Sequence, residues 1–173
     1  YSVTNHQQDN IRIHHNVWNR IGGRFPEISC ESPYCSSNPL NIEITSNLLW
    51  DQQIQTWYNS CTSGGSDCQN FRINMNFTNN YSVVRNSFNG PMASSDFLNN
   101  VNNNLFVSGN KMNRYAQYSD YQLFYCCDDF NQNAPNTNLG SAQKRNIRIA
   151  FPPISPTAAT DLREYATKNV GAF

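Results

Sequence analysis

The sequence predicts an all-β fold, a right-handed single-stranded parallel β-helix of about four to five rungs with a short C-terminal helix. Three observations carry that expectation. A short template recurs at a period near ~30 residues, each copy alternates with period two before breaking at an Asn, and the chain holds 28 Asn among its 173 residues. Asn is scarce in ordinary strands and favoured in turns and left-handed positions, so this composition asks for many short strands and many corners.

The template is apolar-x-apolar-x-x-Asn. Its copies are Ile11-x-Ile13-x-x-Asn16, Ile42-x-Ile44-x-x-Asn47, Phe71-x-Ile73-x-x-Asn76 and Leu105-x-Val107-x-x-Asn110. The asparagines fall 31, 29 and 34 residues apart. Apolar residues resume after the Asn (Val17-Trp18, Leu48-Leu49, Phe77), which reads as strand, sharp corner, strand. Strands stacked at ~4.8 Å would bring successive corners together. Asn16, Asn47, Asn76 and Asn110 are then expected to form an inward side-chain ladder, each tolerating a left-handed corner backbone.

Residues 1–9 read as the end of a preceding rung, and 1–151 as the rungs. Cys30 to Asn38 and Cys61 to Asn70 are polar loops, and 128–143 is a longer one. Asn146 to Phe151 reads as a last strand without its corner Asn. Residues 152–173 form a Pro-rich extension and a short helix over Ala158 to Asn169, with Thr157 or Thr160 as its cap and Gly171 beyond its end. Stacked strands need covered ends, and no N-terminal cap is legible, so the pattern suits the middle and C-terminal part of a longer fold packed on an N-terminal part.

Lys+Arg and Asp+Glu both total 12, which leaves no basic field for nucleic acid. No apolar run is long enough for a membrane span. The six cysteines (Cys30, Cys35, Cys61, Cys68, Cys126, Cys127) contain no Cys-x-x-Cys, so disulfides in an oxidising, secreted setting are favoured over zinc. Local Cys30–Cys35 and Cys61–Cys68 bridges and a cross-rung Cys30–Cys61 bridge both remain open; Cys126-Cys127 has no assigned pairing. Two sequons begin at Asn76 and Asn80. With Asn76 assigned to the ladder, Asn80 is the glycosylation candidate.

Asn10 to Ser29 (NIRIHHNVWNRIGGRFPEIS) holds the densest chemistry: His14-His15-Asn16 after an alternating strand, Arg20, a Gly-Gly turn, then Arg24-Phe25-Pro26. This stretch resembles the pectate lyase family of secreted polysaccharide lyases. Leu40-Asn41-Ile42-Glu43-Ile44-x-x-Asn47 is similar to that family's next rung, and Asn169-Val170-Gly171-Ala172-Phe173 to its segment beyond the last rung.

The resemblance implies a secreted lyase that cleaves an acidic, pectate-like polysaccharide by β-elimination. It places Arg24 at the position of the base, and it implies Ca2+ bound by acidic residues that lie outside this chain. Where the family carries a second substrate-gripping Arg, this sequence has Ser29. Arg20 is a candidate substrate contact, and Trp57 and Tyr58 are candidate sugar platforms, one rung on from Arg24. His14 and His15 read as strand residues, one buried and satisfied, neither a base. Asp120 and Asp128-Asp129 are the densest carboxylates, read as solvated loop or as oxygen ligands for calcium. The alternative is a β-helix without catalysis, a carbohydrate-binding or structural surface module. A glycoside hydrolase ranks below both, because no carboxylate pair is matched across rungs.

Overall fold

The computed structural model describes residues 10–19, 27–30, 39–50, 58–61, 72–85, 93–94, 103–118, 120–125 and 144–169; at 27–30, 58–61, 93–94 and 124–125 it describes the backbone path alone. The fold is mostly β, built from parallel strands, with one short helix near the C-terminus. The strands are β1 (Ile11–His14), β2 (Val17–Asn19), β3 (Glu27–Cys30), β4 (Leu40–Thr45), β5 (Leu48–Trp50), β6 (Tyr58–Cys61), β7 (Ile73–Thr78), β8 (Tyr81–Val83), β9 (Ala93–Ser94), β10 (Asn104–Ser108), β11 (Lys111–Met112) and β12 (Phe124–Tyr125). The helix is α1 (Leu162–Asn169).

Taken in chain order the strands fall in threes. The first of each three forms one parallel sheet, β1-β4-β7-β10, and the second forms another, β2-β5-β8-β11. The third strands pair as β3-β6 and β9-β12. The register explains why alternation is legible. Ile11, Ile42, Met75 and Leu105 are lateral partners, and so are Ile13, Ile44, Phe77 and Val107. From Ile42 onward these columns are buried, and they meet Trp18, Leu49 and Met112 of the second sheet in one core.

The corner between the first two strands of each repeat is fixed by four side chains, Asn16, Asn47, Asn80 and Asn110. The Asn16 backbone N–H and Nδ2 both donate to Asn47 Oδ1, at 3.1 and 3.0 Å. Asn47 does the same to Asn80 Oδ1 (3.0 and 3.0 Å), and Asn80 to Asn110 Oδ1 (2.9 and 3.1 Å). The second amide hydrogen goes to a strand carbonyl: Ile13 O from Asn47, Ile44 O from Asn80, Phe77 O from Asn110. Asn47 and Asn80 are fully buried. The ladder corrects the sequence reading at its third step, where Asn80 stands in place of Asn76. The true third copy is Met75-x-Phe77-x-x-Asn80. The left-handed backbone is also displaced by one residue: positive φ falls on His15, Ser46, Asn79 and Gly109, just before each ladder Asn.

Asn76 faces the other way. Its Nδ2 donates to Ile149 O (2.8 Å) and its Oδ1 accepts from the Ile149 N–H (3.0 Å). Ile149 belongs to the segment expected as a last strand, Asn146 to Phe151, and here the expectation fails. The segment joins no sheet, and the single parallel bridge nearby, between Lys144 and Leu105, precedes it. It runs across the first sheet as a strap. Arg145 N–H donates to Leu105 O of β10 (2.9 Å), Ile149 meets Asn76 of β7, Arg148 meets Glu43 of β4, and Pro152 O accepts from Arg12 of β1. Pro152 and Pro153 have no N–H for a ladder, which suits a crossing path.

Glu43 anchors the strap. Its side chain is wholly buried, with Oε2 taking Arg12 Nε at 2.5 Å and Oε1 taking Arg148 Nε at 3.0 Å and Asn76 Nδ2 at 3.3 Å. Beyond the strap, α1 covers the second sheet: Ala166 packs with Leu48 and Val83, flanked by Trp50 and Tyr81. The helix is shorter than expected and begins with a 3₁₀ turn, Ala159–Asp161. Neither threonine caps it; Ala158 holds the cap position without a side-chain bond.

Two stability outcomes follow. Asn80→Ala removes the acceptor of two Asn47 donors and the donor to Ile44 O, and is expected to cost roughly 2–5 kcal/mol in urea unfolding. Asn16→Ala, at the exposed end of the ladder, is expected to cost far less. Glu43→Gln strips two arginines of their counter-charge; because Arg148 stays partly in water, the expected loss is about 2–3 kcal/mol rather than the full cost of a broken buried pair.

Candidate functional site

Arg24 sits in sequence just ahead of β3, the third strand of the first repeat. β3 pairs in parallel with β6, in the register Glu27↔Tyr58, Ile28↔Asn59, Ser29↔Ser60 and Cys30↔Cys61. Tyr58 therefore starts the strand beside the one that Arg24 leads into, and Trp57 precedes it in sequence. Arg20, Arg24 and Trp57 themselves lie outside the described residues, as do Cys35, Cys68, Cys126, Cys127 and Asp128-Asp129. Cys30 and Cys61 are register partners on neighbouring strands. In sequence terms Ser29 falls inside β3, opposite Ser60.

The other two faces are already occupied. The first sheet is crossed by the strap, and the second is packed against α1. Trp18 is buried in the core. Trp50 is flanked by two guanidinium groups, Arg85 at 5.1 Å and Arg163 at 5.2 Å from its ring centroid, and helps to seat α1.

Asn80 is corrected as a glycosylation candidate. Its side chain is buried and both of its polar atoms serve the ladder, so a glycan there would destroy the corner. Asn76 is equally buried under the strap.

The described carboxylates have structural duties. Glu43 is taken by two arginines, and Glu164 pairs with Lys168 along α1. Asp120 ends the ladder: its Oδ1 accepts the Asn110 N–H at 3.1 Å, in the place where a further Asn would stand. Burial pushes its carboxyl above the usual range, and the N–H groups of Asn110 and Gly109 pull it partly back. Among the described residues no group of three or more His, Cys, Asp or Glu side chains converges as a metal site.

Several features had no signal in the template. An outward asparagine ladder runs Asn41–Asn74–Asn104, with Asn74 Nδ2 donating to Asn41 Oδ1 (2.9 Å) and Asn104 Nδ2 to Asn74 Oδ1 (2.6 Å). Each lies one position before a residue of the first sheet's first column, Ile42, Met75 and Leu105, so a second recurring Asn was readable. Glu43 was hidden as one polar letter between two isoleucines.

No family model, no curated protein and no solved structure matches this chain. Among the described residues no helix is long and apolar enough to cross a membrane. The class that fold and site define is thus a mostly β protein of stacked parallel strands, with its arginine-rich segment leading into the third-strand pair.

Asp120→Asn keeps the acceptor and removes a desolvated charge, so it is expected to match or exceed the wild type in thermal stability at neutral pH. The sign follows from the raised carboxyl: ionisation is penalised in the folded state, so the wild-type handicap appears as pH rises above the ordinary value of 3.8. Asp120→Ala, which loses the acceptor, is expected to fall below the wild type by roughly 1–3 kcal/mol.

Proposed function

We propose that the parallel sheets are faces of one right-handed β-helix, and that the chain is a secreted, pectate lyase-like protein acting on acidic polysaccharide. First and second strands that each join one four-stranded sheet, with third strands pairing in twos, are what successive turns of such a helix would contribute, and parallel crossovers are right-handed almost without exception. The functional reading rests on one observation. Two of the three strand sets have their outer faces engaged by the strap and α1, while Arg24 leads into the third. A polymer lying along β3 and β6 would pass Arg24, Tyr58 and their sequence neighbours Arg20 and Trp57.

The reaction is a β-elimination. Arg24 takes the proton from the carbon α to the uronate carboxylate, the electron pair becomes a carbon–carbon double bond, and the bond from the β carbon to the glycosidic oxygen breaks. The departing oxygen takes a proton from solvent. A guanidinium releases its proton only above about 12, so Arg24 needs desolvation or a neighbouring cation, a role that Arg20 would fill. While protonated, either arginine would bind a uronate carboxylate through two parallel hydrogen bonds. Among the carboxylates whose side chains are described, Glu43, Asp120, Asp161 and Glu164 each hold a partner within the fold, so they do not fit the calcium that the resemblance implies. No step is routed through it.

A second reading, a non-catalytic carbohydrate-binding module, is favoured by Ser29 in β3 at the position of the family's second arginine.

The test is the ultraviolet absorbance of the conjugated unsaturated uronate, released from polygalacturonate with and without added calcium. The wild type is expected to produce it, and Arg24→Lys to lower the rate by about 10²- to 10⁴-fold while remaining folded. Retention on immobilised polygalacturonate with no such product, under either condition, would overturn the lyase reading in favour of the binding module.

A further inference from the structure

The last anchor of the strap is built from histidine. His15 Nε2 lies 3.0 Å from Thr157 Oγ1, and its ring stands against Tyr165 of α1 with centroids 4.9 Å apart. Its Nδ1 lies 2.8 Å from His14 Nδ1, with the two rings edge to face. Thr157 is held from the other side by Ser46, whose Oγ donates to Thr157 O and accepts the Thr157 N–H, both at 3.0 Å. Two imidazoles joined Nδ1 to Nδ1 need one donor and one acceptor. The acceptor ring must therefore carry no proton on Nδ1, and two imidazolium rings cannot occupy this geometry.

Among the described residues the neighbours supply no compensating anion. His14 (β1) and Tyr165 (α1) are the titratable groups in contact with His15 among the described residues, and the β4 corner and strap offer the hydroxyls of Ser46 and Thr157. On the helix, Glu164 is turned to Lys168, Arg163 to Trp50, and Asp161 to the Thr160 hydroxyl. Arg12, on the same strand as His14, is bound to Glu43.

We propose that His14 and His15 form an acid-released latch, which holds the strap end and α1 on the sheets near neutral pH and lets them go on acidification. One added proton can be shared in the Nδ1–Nδ1 bond, but a second leaves no acceptor there, breaks that bond and sets two cations side by side, so the docked state loses to one in which both rings are solvated. The direction agrees with His15 itself, whose protonation is disfavoured first by burial and then by His14. A lowered value when docked means the undocked state binds more protons, so docking is favoured above the ordinary value of 6.5 and weakens as pH falls below it. The strands stay stacked, since the four asparagine amides of their ladder do not titrate.

Hydrogen exchange of the full chain, corrected for intrinsic rates, reads the latch directly. From about pH 7 to about pH 5, amides of 157–169 are expected to lose protection by up to about tenfold per pH unit, while amides of β7 keep theirs. His15→Asn tolerates the left-handed backbone and cannot titrate. It is expected to show protection in 157–169 that no longer depends on pH. Equal protection at both pH values in the wild type would overturn the latch. So would a loss in His15→Asn as steep as in the wild type.

Discussion

A corner that turns inward buries backbone groups that strands alone cannot satisfy, and the fold depends on how one amide per repeat solves that problem. An Asn side chain carries one acceptor and two donors in a plane. Here the acceptor takes both the N–H and the side chain of the preceding repeat's Asn, while the remaining donor closes on a strand carbonyl. Each amide is therefore committed to its neighbours above and below, and the repeat is locked in register at the corner as well as along the strands. The chain of bonds is directional, so its two ends differ. Asn16 at one end is only a donor among the described residues, whereas the Asn110 N–H at the other needs a new partner, which Asp120 supplies. A carboxylate is a costly choice for a half-buried position, and burial does push it toward its neutral form.

The left-handed residue before each ladder Asn is the other half of that constraint. His15, Ser46 and Asn79 bear the strain of a positive φ, and the fourth corner uses Gly109. A Cβ at Gly109 would meet Asn79 Oδ1 at 2.3 Å, so a side chain there would have to displace the Asn79 amide as well as adopt a strained positive φ. His15 and Ser46 also point functional groups outward from the corner, and both hold Thr157. The corner thus supports the ladder inside and anchors the strap outside.

What the sequence revealed and what it hid divide along this line. Period-two alternation and a recurring Asn were enough to find the parallel strands. They could not set the third repeat, because Phe71-x-Ile73-x-x-Asn76 and Met75-x-Phe77-x-x-Asn80 satisfy the same template four residues apart. A shift by an even number leaves inward and outward faces unchanged, so alternation is blind to it. The residue after the corner decides: Asn80 leads into β8 at Tyr81, whereas Asn76 sits inside β7. The strap was misread for a different reason. Ile147, Ile149 and Phe151 alternate like a strand, yet the pairing of Asn76 with Ile149 and of Glu43 with Arg148 joins residues 73 and 105 positions apart, which no local pattern announces. Ile147 is left 82% exposed, a sign that this alternation does not mark a core strand.

The same strap shapes the functional argument. Glu43 gives up both carboxylate oxygens to hold Arg12 and Arg148, so the first sheet's outer surface is a fastening rather than a binding groove. Trp50 serves the second sheet in the same way, placed between Arg85 and the helix residue Arg163. Aromatic and charged residues on those faces, which on composition alone are as good sugar or metal ligands as any in the chain, are therefore used to close the fold. In the third-strand pair Tyr58 is in register with Glu27, and in sequence the Arg-x-Pro segment comes just before that strand. The C-terminal segment thus fastens the first sheet through Glu43 and Asn76 and the second through Trp50, Leu48 and Val83, and both fastenings draw on residues far away in sequence.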